Sequence, residues 1–190
     1  MTNIRAIIFD CFGVLTNDGW RDLRHTYGTT PERLEKFSYL DRAVNDGRMK
    51  HDEFVREIAA ITGLSASGVN KLFDERRNNE ELFAYIRDAL APHYKIAMLS
   101  NAAANWLDEF FTPAQIALFN PIVLSYAVGV IKPDRAIYEI TLQKLGEKPE
   151  NCVFIDDVPA YCHAAEALGI HAILYKDFTQ MKRQLAAVLH

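Results

Sequence analysis

The decapeptide IIFDCFGVLT, residues 7–16, constrains the fold of this 190-residue chain most strongly. Its apolar run has no helical periodicity and is rich in isoleucine, which predicts a strand that is buried on both faces. Gly13 then permits a turn that a residue with a Cβ would resist. We therefore expect Asp10 at the carboxyl end of a central parallel strand, where open α/β sheets bind their ligands. An aspartate that only turns the chain explains this stretch equally well, so the rest of the sequence must decide.

Four helical segments follow this strand before a second strand is expected. Apolar residues recur at three- and four-residue spacing between residues 17 and 76, and short turns that contain glycine separate the segments. Thr30 and Pro31 have the pattern of a helix N-cap followed by proline at the first helical position. The pattern predicts a small helical bundle.

Strands and helices alternate only after residue 80. We expect strands at residues 94–99, 121–125, 152–155 and 171–175, with a helix after each. This alternation predicts an α/β fold with a doubly wound, Rossmann-like parallel sheet. We predict a core formed by residues 1–15 and 80–190, into which residues 16–79 are inserted as a helical cap.

Charge and composition argue against several classes of protein. The formal net charge is −4, which gives no basic footprint for a nucleic-acid partner. No apolar run reaches membrane-spanning length and the N-terminus shows no signal-like segment, so we expect no membrane association. The three cysteines, Cys11, Cys152 and Cys162, show no CxxC spacing, which fits free thiols in a reducing compartment. We therefore expect a cytoplasmic protein.

Polar side chains stand where four of these segments should reach the same edge of the sheet. They are Asp10, Ser100 and Asn101, Lys132, and the adjacent pair Asp156 and Asp157. Three converging carboxylates repel one another unless a cation compensates, and Mg²⁺ prefers carboxylates, water and phosphate oxygens as ligands. Lys132 offers a positive charge, while a hydroxyl and an amide can bind phosphate oxygens.

Together these groups are the parts of a phosphoryl-transfer site with an aspartate nucleophile. Each part also has a structural interpretation: Ser100 and Asn101 can serve a turn, and Lys132 can precede a helix start. Two adjacent acids after an apolar strand are harder to explain in this way, because without a cation they are unfavourable. The joint occurrence at strand ends favours the functional interpretation.

Four segments of the chain resemble the motifs of the haloacid dehalogenase (HAD) superfamily. They are residues 9–15, 99–101, 132–133 and 154–157, the last together with 164–165 and 168–169. The insertion after the first motif is similar to the helical C1 cap of that family. The chain most resembles the sugar-phosphate phosphatase-like branch and the phosphatase domain of soluble epoxide hydrolases.

The resemblance implies a Mg²⁺-dependent phosphatase that acts through an aspartyl-phosphate intermediate. It implies Asp10 as the nucleophile, with Mg²⁺ bound by Asp10, the backbone carbonyl of Phe12 and Asp157, and with Asp156 in support. It also implies that Ser100, Asn101 and Lys132 hold the phosphoryl group. The expected substrate is a small phosphorylated metabolite, with a sugar phosphate as one candidate, and the expected assembly is a monomer or a homodimer.

Two departures from the family pattern keep other functions open. Phe12 stands where many phosphatases of the superfamily carry an acid/base aspartate, and such a group is typically worth about 10²–10⁴-fold in rate. Tyr161 stands where the family often has Asp or Asn near the metal. A catalytically impaired phosphate- or partner-binding protein fits both departures. A metal-independent 2-haloacid dehalogenase fits Phe12, although the pair Asp156 and Asp157 argues against it.

The helical cap should set the choice of substrate, because a cap covers the site and excludes water. Trp20 and Tyr39, with Arg42 or Arg48, are candidates for contacting the leaving group. Aromatic side chains in the core of the bundle and solvated arginines remain the competing interpretation.

Overall fold

The computed structural model of the chain describes residues 3–17, 19–74 and 77–189. Within these residues a parallel sheet is formed by β1 (Ala6–Phe9), β2 (Lys95–Ser100), β3 (Ile122–Leu124), β4 (Cys152–Asp156) and β5 (His171–Leu174). The strand order is β3-β2-β1-β4-β5, and every neighbouring pair is parallel. The predicted α/β fold is confirmed, with β1 at the centre of the sheet.

Helices connect the strands, and those outside the segment between β1 and β2 pack mainly against the sheet. The helices are α1 (Gly19–Tyr27), α2 (Pro31–Asn45), α3 (His51–Thr62), α4 (Ala66–Asp74), α5 (Glu80–Tyr85), α6 (Leu107–Phe110), α7 (Pro113–Ile116), α8 (Ser125–Val128), α9 (Arg135–Leu145), α10 (Pro159–Glu166) and α11 (Phe178–Leu189). A π-helical turn, Ile86–Leu90, continues α5, and a 3₁₀ turn, Pro149–Asn151, precedes β4. In the part of the chain that is described, none of these helices combines the length and the apolar character needed to cross a membrane.

The four residues of β1 are buried on both faces of the sheet. Ile7 and Phe9 join one apolar cluster with residues of α5 and α11, while Ala6 and Ile8 join a second cluster with residues of α9 and α10. Side chains alternate across a strand, so helices on both faces require apolar residues at every position. This burial explains the uninterrupted apolar run in the sequence.

Helices α1–α4 form a separate cluster around side chains such as Leu23, Phe37 and Ile58. The chain enters and leaves this segment through two stretches that lie side by side. Thr16 pairs with Asn78 in an antiparallel bridge, and the backbone nitrogen of Asn79 donates to the carbonyl of Leu15 at 2.9 Å. These contacts support the proposed division at residues 16–79. Residues 18, 75 and 76, which the predicted helices included, lie outside the described residues.

The prediction missed the shortest helices. One helix was expected around residues 106–111, but α6 is followed at once by α7, because Thr112 caps a new helix that begins with Pro113. The segment expected as a loop before Gly129 holds α8. A four-residue helix is too short to show apolar periodicity, so these elements leave no such signal in the sequence.

Strand register brings the predicted polar residues to one edge of the sheet. Phe9 pairs with Met98 of β2 and with Ile155 of β4, so the three central strands end nearly level. The backbone nitrogen of Asp10 donates to the carbonyl of Ile155 at 2.9 Å. We call this edge, with Asp10, Ser100, Asn101, Asp156 and Asp157, the carboxyl edge.

Candidate active site

A buried lysine lies between two aspartates at the carboxyl edge. The Nζ of Lys132 is 2.6 Å from Oδ1 of Asp10 and 2.6 Å from Oδ2 of Asp156. The three side chains are 1%, 7% and 0% exposed, respectively. Charges at this depth are tolerated only when they are paired and hydrogen-bonded. Lys132 therefore lies between two of the strand-end acids, while its predicted contact with phosphate stays a prediction.

Asn101 fixes the backbone that carries Lys132. Its Oδ1 accepts from the backbone nitrogen of Lys132 at 2.8 Å, and its Nδ2 donates to the carbonyl of Lys132 at 3.1 Å. The same Nδ2 donates to the hydroxyl of Tyr161 at 3.3 Å, and the ring of Tyr161 lies 5.0 Å from the Nζ of Lys132. Asn101 and Tyr161 thus position the lysine, while a contact of Asn101 with phosphate stays a prediction.

The electrostatics of the site follow from burial and from the close charges. Burial is the main cause that raises the pKa of Asp10 well above its usual range; Asp156 raises it further, and Lys132 opposes the rise. Burial alone would lower the pKa of Lys132, but Asp10 and Asp156 together raise it above its usual value. Lys132 therefore remains protonated, and further positive charge at the site would favour the ionised form of Asp10.

Asp157 completes a cluster of carboxylates. Ligand oxygens of Asp10, Asp156 and Asp157 all lie within 4.8 Å of one another. Gly13 has a φ of +89°, and a Cβ at this position would overlap the carboxylate of Asp157. The guanidinium of Arg21, from α1, pairs with Oδ2 of Asp157. Clustered oxygen ligands that attract a cationic group in this way fit a hard divalent cation.

Two other predicted site residues have surroundings that the sequence did not suggest. Ser100 is fully buried, its hydroxyl donates to the carbonyl of Asn101 at 3.2 Å, and it is not among the residues that line the cavity. The ring of Phe12 packs against Trp106, with centroids 4.8 Å apart. Phosphate binding by Ser100 and cation binding by the Phe12 carbonyl stay predictions.

A cavity of about 510 Å³ lies between the carboxyl edge and helices α1–α4. Asp10, Asn101, Lys132 and Asp157 line one side of it, and Trp20 is among the residues of the helices that line the other. The other leaving-group candidates, Tyr39, Arg42 and Arg48, are exposed and do not line the cavity.

Sequence reasoning missed Arg21, Trp106 and Phe110, which also line the cavity. Trp106 and Phe110 follow Asn101 within nine residues. Their position shortly after the end of a predicted strand could have indicated that they lie near the site. Arg21 gave none, because its contact depends on how α1 packs over the sheet.

Comparison with curated proteins finds relatives that include hydrolases. The chain is 26% identical to acyl-CoA dehydrogenase family member 10 of Mus musculus over 97% of its own length and 19% of that protein. It is 28% identical to bifunctional epoxide hydrolase 2 of Sus scrofa over 72% of this chain and 27% of that protein. It therefore spans less than a third of these two relatives. It is 25% identical to phosphatase MT3486 of Mycobacterium tuberculosis, over 90% of this chain and 87% of that protein.

Solved structures share the fold over nearly the whole chain. A HAD-like family hydrolase from Porphyromonas gingivalis superposes with a TM-score of 0.73 and 28% identity, covering 96% of this chain and 98% of that one. A HAD family enzyme from Bacteroides thetaiotaomicron, in complex with magnesium and inorganic phosphate, gives a TM-score of 0.68 and 22% identity over 91% and 94%. A family model for haloacid dehalogenase-like hydrolases matches residues 4–169. The chain thus belongs to the haloacid dehalogenase-like hydrolase family.

Proposed function

We propose that this hydrolase is a Mg²⁺-dependent phosphatase that forms a phosphoryl intermediate on Asp10. The observation that carries the proposal is the buried contact of Lys132 with both Asp10 and Asp156, beside the third carboxylate of Asp157. The similarity to phosphatase MT3486 supports it. So does the shared fold with the enzyme from Bacteroides thetaiotaomicron, which was crystallised with magnesium and phosphate.

The acidic cluster suits Mg²⁺. Asp10, Asp157 and the backbone carbonyl of Phe12 would hold the ion, and Asp156 would support the site. Bound Mg²⁺ would supply positive charge that balances the carboxylates and the phosphoryl oxygens. The glycine at position 13 leaves room for the Asp157 carboxylate that this arrangement requires.

The reaction we propose has two displacements at phosphorus. A carboxylate oxygen of Asp10 attacks the phosphorus, the ester P–O bond breaks, and the organic alcohol leaves after it takes up a proton. Water then attacks the phosphorus of the acyl phosphate, which releases inorganic phosphate and restores Asp10. Lys132 stabilises the negative charge on the phosphoryl oxygens throughout, and Asn101, which lines the cavity, helps to hold the group. Helices α1–α4 cover the site as a cap and limit the access of water.

Phe12 favours a second candidate function. It places an aromatic ring, not an acid, two residues after the nucleophile, so the leaving group must take its proton from water or from another residue. A protein that binds phosphate esters but turns them over poorly has the same geometry.

The test is phosphate release from p-nitrophenyl phosphate, whose leaving group needs no acid. We expect wild-type turnover only with Mg²⁺, and a loss of about 10⁴-fold or more in Asp10→Asn. Asp88→Asn, a change of an exposed acid that pairs with Arg87, is the matched control and should keep full activity. Folded wild-type protein that binds phosphate without turnover would support the binding protein and contradict the phosphatase.

A further inference from the structure

Three aromatic side chains form one wall of the cavity on the side of the sheet. The ring of Phe12 lies 4.8 Å from Trp106 and 6.3 Å from Phe110, edge to face in both cases. Trp106 and Phe110 stack at 5.2 Å. All three line the cavity beside Asp10 and Lys132. We call them the sheet-side aromatic wall; it begins two residues after the proposed nucleophile.

The helices supply a second group of aromatic side chains to the same cavity. The ring of Trp20 lies 5.3 Å from Phe54, and Phe54 lies 6.0 Å from Phe73. These three residues also line the cavity. Apolar ring surface therefore faces the cavity from the sheet side and from the helices.

Several of the polar side chains that α1 and α2 bring to the cavity bond to other groups of the protein, although His25 also lines the cavity and the Nε of Arg24 is buried without a hydrogen-bond partner among the described residues. Arg21 pairs with Asp157, and the Nη2 of Arg24 donates to Ser38 at 3.4 Å. The Nδ2 of Asn45 donates to Asp41 at 2.8 Å. A sugar would need such groups for its hydroxyls, because a buried hydroxyl without a partner is costly. Aromatic surface instead favours an apolar group, through area burial and ring packing.

We propose, on the basis of the phosphatase function above, that the substrate is a phosphate monoester of an apolar organic group. The phosphate lies against Lys132 and the acidic cluster, and the organic group lies between the sheet-side aromatic wall and the aromatic residues of the helices. The cavity volume of about 510 Å³ is in the range of small-molecule sites. This proposal replaces the sugar phosphate that the sequence suggested as a candidate.

Two matched ligands test the proposal by binding alone. Hexyl phosphate and glucose 6-phosphate both have six carbons and a primary ester, but only the sugar carries further hydroxyls. Titration calorimetry with Asp10→Asn and Mg²⁺ measures their affinities without turnover. We expect hexyl phosphate to bind at least about tenfold more tightly, since each buried methylene contributes to affinity. Equal affinity, tighter binding of the sugar phosphate, or no binding of hexyl phosphate would overturn the proposal.

A pair of variants at Phe110 locates the contact. Phe110→Ser should weaken binding of hexyl phosphate about tenfold, while Phe110→Leu, which keeps an apolar side chain, should change it only about twofold. Inorganic phosphate has no organic group, so it should bind both variants with the same affinity as the protein that retains Phe110. Circular dichroism checks the fold of each variant. If the affinities for hexyl phosphate and for inorganic phosphate fall to the same extent, a contact between Phe110 and the organic group is contradicted.

Turnover of p-nitrophenyl phosphate separates this inference from the proposed function. Turnover that depends on Mg²⁺ and Asp10, without a preference for hexyl phosphate, would support the phosphatase and overturn the apolar substrate. A preference for hexyl phosphate without any turnover would support the apolar site and contradict the phosphatase.

Discussion

The carboxyl edge and helices α1–α4 meet at one cavity, but different interactions hold them together. At the edge, a few charged side chains lie almost fully buried, with Lys132 in contact with two aspartates. In the helices, charged pairs such as Lys36 with Glu57 stay about half exposed, while an apolar cluster around Phe37 fills the interior. At the edge, two short ion pairs compensate the buried charges, whereas the helices are held together by many apolar contacts.

This difference has consequences for substitution. Removing one partner from a buried ion pair leaves an uncompensated charge, so the cost is large and affects chemistry and stability together. Removing an exposed partner costs little, because water and salt screen the pair. In the helices, apolar volume matters more than charge.

Lys132→Met should have the largest effect. The two buried carboxylates lose their common partner, so we expect the free energy of unfolding to fall by about 3–5 kcal/mol. Phosphatase activity should fall by about 10³-fold, because charge on the phosphoryl group is no longer balanced. Urea unfolding and phosphate release measure the two effects.

Lys36→Met is the matched control for Lys132→Met. Lys36 pairs with Glu57 on the surface of the helices, and the two side chains are 50% and 41% exposed. We expect a cost of about 0–1 kcal/mol and unchanged activity. Similar costs at the two lysines would contradict the contrast between buried and exposed pairs.

Phe37→Ala should have the next largest effect, and the loss should be in the helices. Phe37 is fully buried, so the cavity left by this truncation should cost about 3–5 kcal/mol. Hydrogen exchange should show faster opening of α1–α4 than of β1 and β4, as expected if residues 16–79 form a separate unit. Tyr39→Ala, at an exposed aromatic residue, should stay within about 0.5 kcal/mol of wild type. Equal loss of protection in the helices and the sheet would argue against the proposed division.

Arg21→Gln should have a smaller effect. Arg21 lies on α1 and contacts the carboxyl edge, so this substitution tests the contact between the two regions. The guanidinium of Arg21 pairs with Asp157, where it opposes a cation that uses the same carboxylate. Because the arginine side chain is half exposed, we expect only about two- to fivefold tighter binding of Mg²⁺, measured by calorimetry. Arg24→Gln, one turn further along α1, should leave Mg²⁺ binding unchanged. Weaker Mg²⁺ binding in Arg21→Gln would show that the arginine supports the ion and does not compete with it.

Substitution of Cys152, at the opposite end of β4 from Asp156, should have the smallest effect, on the pH dependence of stability. Burial raises the pKa of the Cys152 thiol from its ordinary value of 9.0 to about 12. Between these pH values the unfolded chain loses this proton and the native protein keeps it, so stability should fall as pH rises from 9 towards 12. Urea unfolding should show a shallower alkaline decline in Cys152→Ala than in wild type. Identical declines would contradict a buried, protonated thiol.

The carboxyl edge could largely be predicted from the sequence. Asp10 and Asp156 each end or follow an apolar strand, and parallel strands that start level bring their carboxyl ends together. Lys132 was harder to place, since it lies on no strand and reaches the acids through a backbone that Asn101 holds. The local pattern near Lys132 indicated a helix start but not the direction of its side chain.

The helix side of the cavity could not be predicted in the same way. Trp20 and Tyr39 look alike as aromatic residues of amphipathic helices, yet Trp20 lines the cavity and Tyr39 is 57% exposed. Which side of a helix faces the sheet depends on packing between distant segments, which apolar periodicity alone does not fix. The contact between Arg21 and Asp157 joins residues 136 positions apart and has the same cause.

The central claim is that Asp10 becomes phosphorylated during turnover, and mass spectrometry tests it most directly. Wild-type protein is mixed with p-nitrophenyl phosphate and Mg²⁺, quenched in acid and digested. We predict that the peptide containing Asp10 gains the mass of one phosphoryl group, and that Asp10→Asn shows no such gain. Release of phosphate while Asp10 stays unmodified, or a phosphoryl group on another residue, would contradict the account.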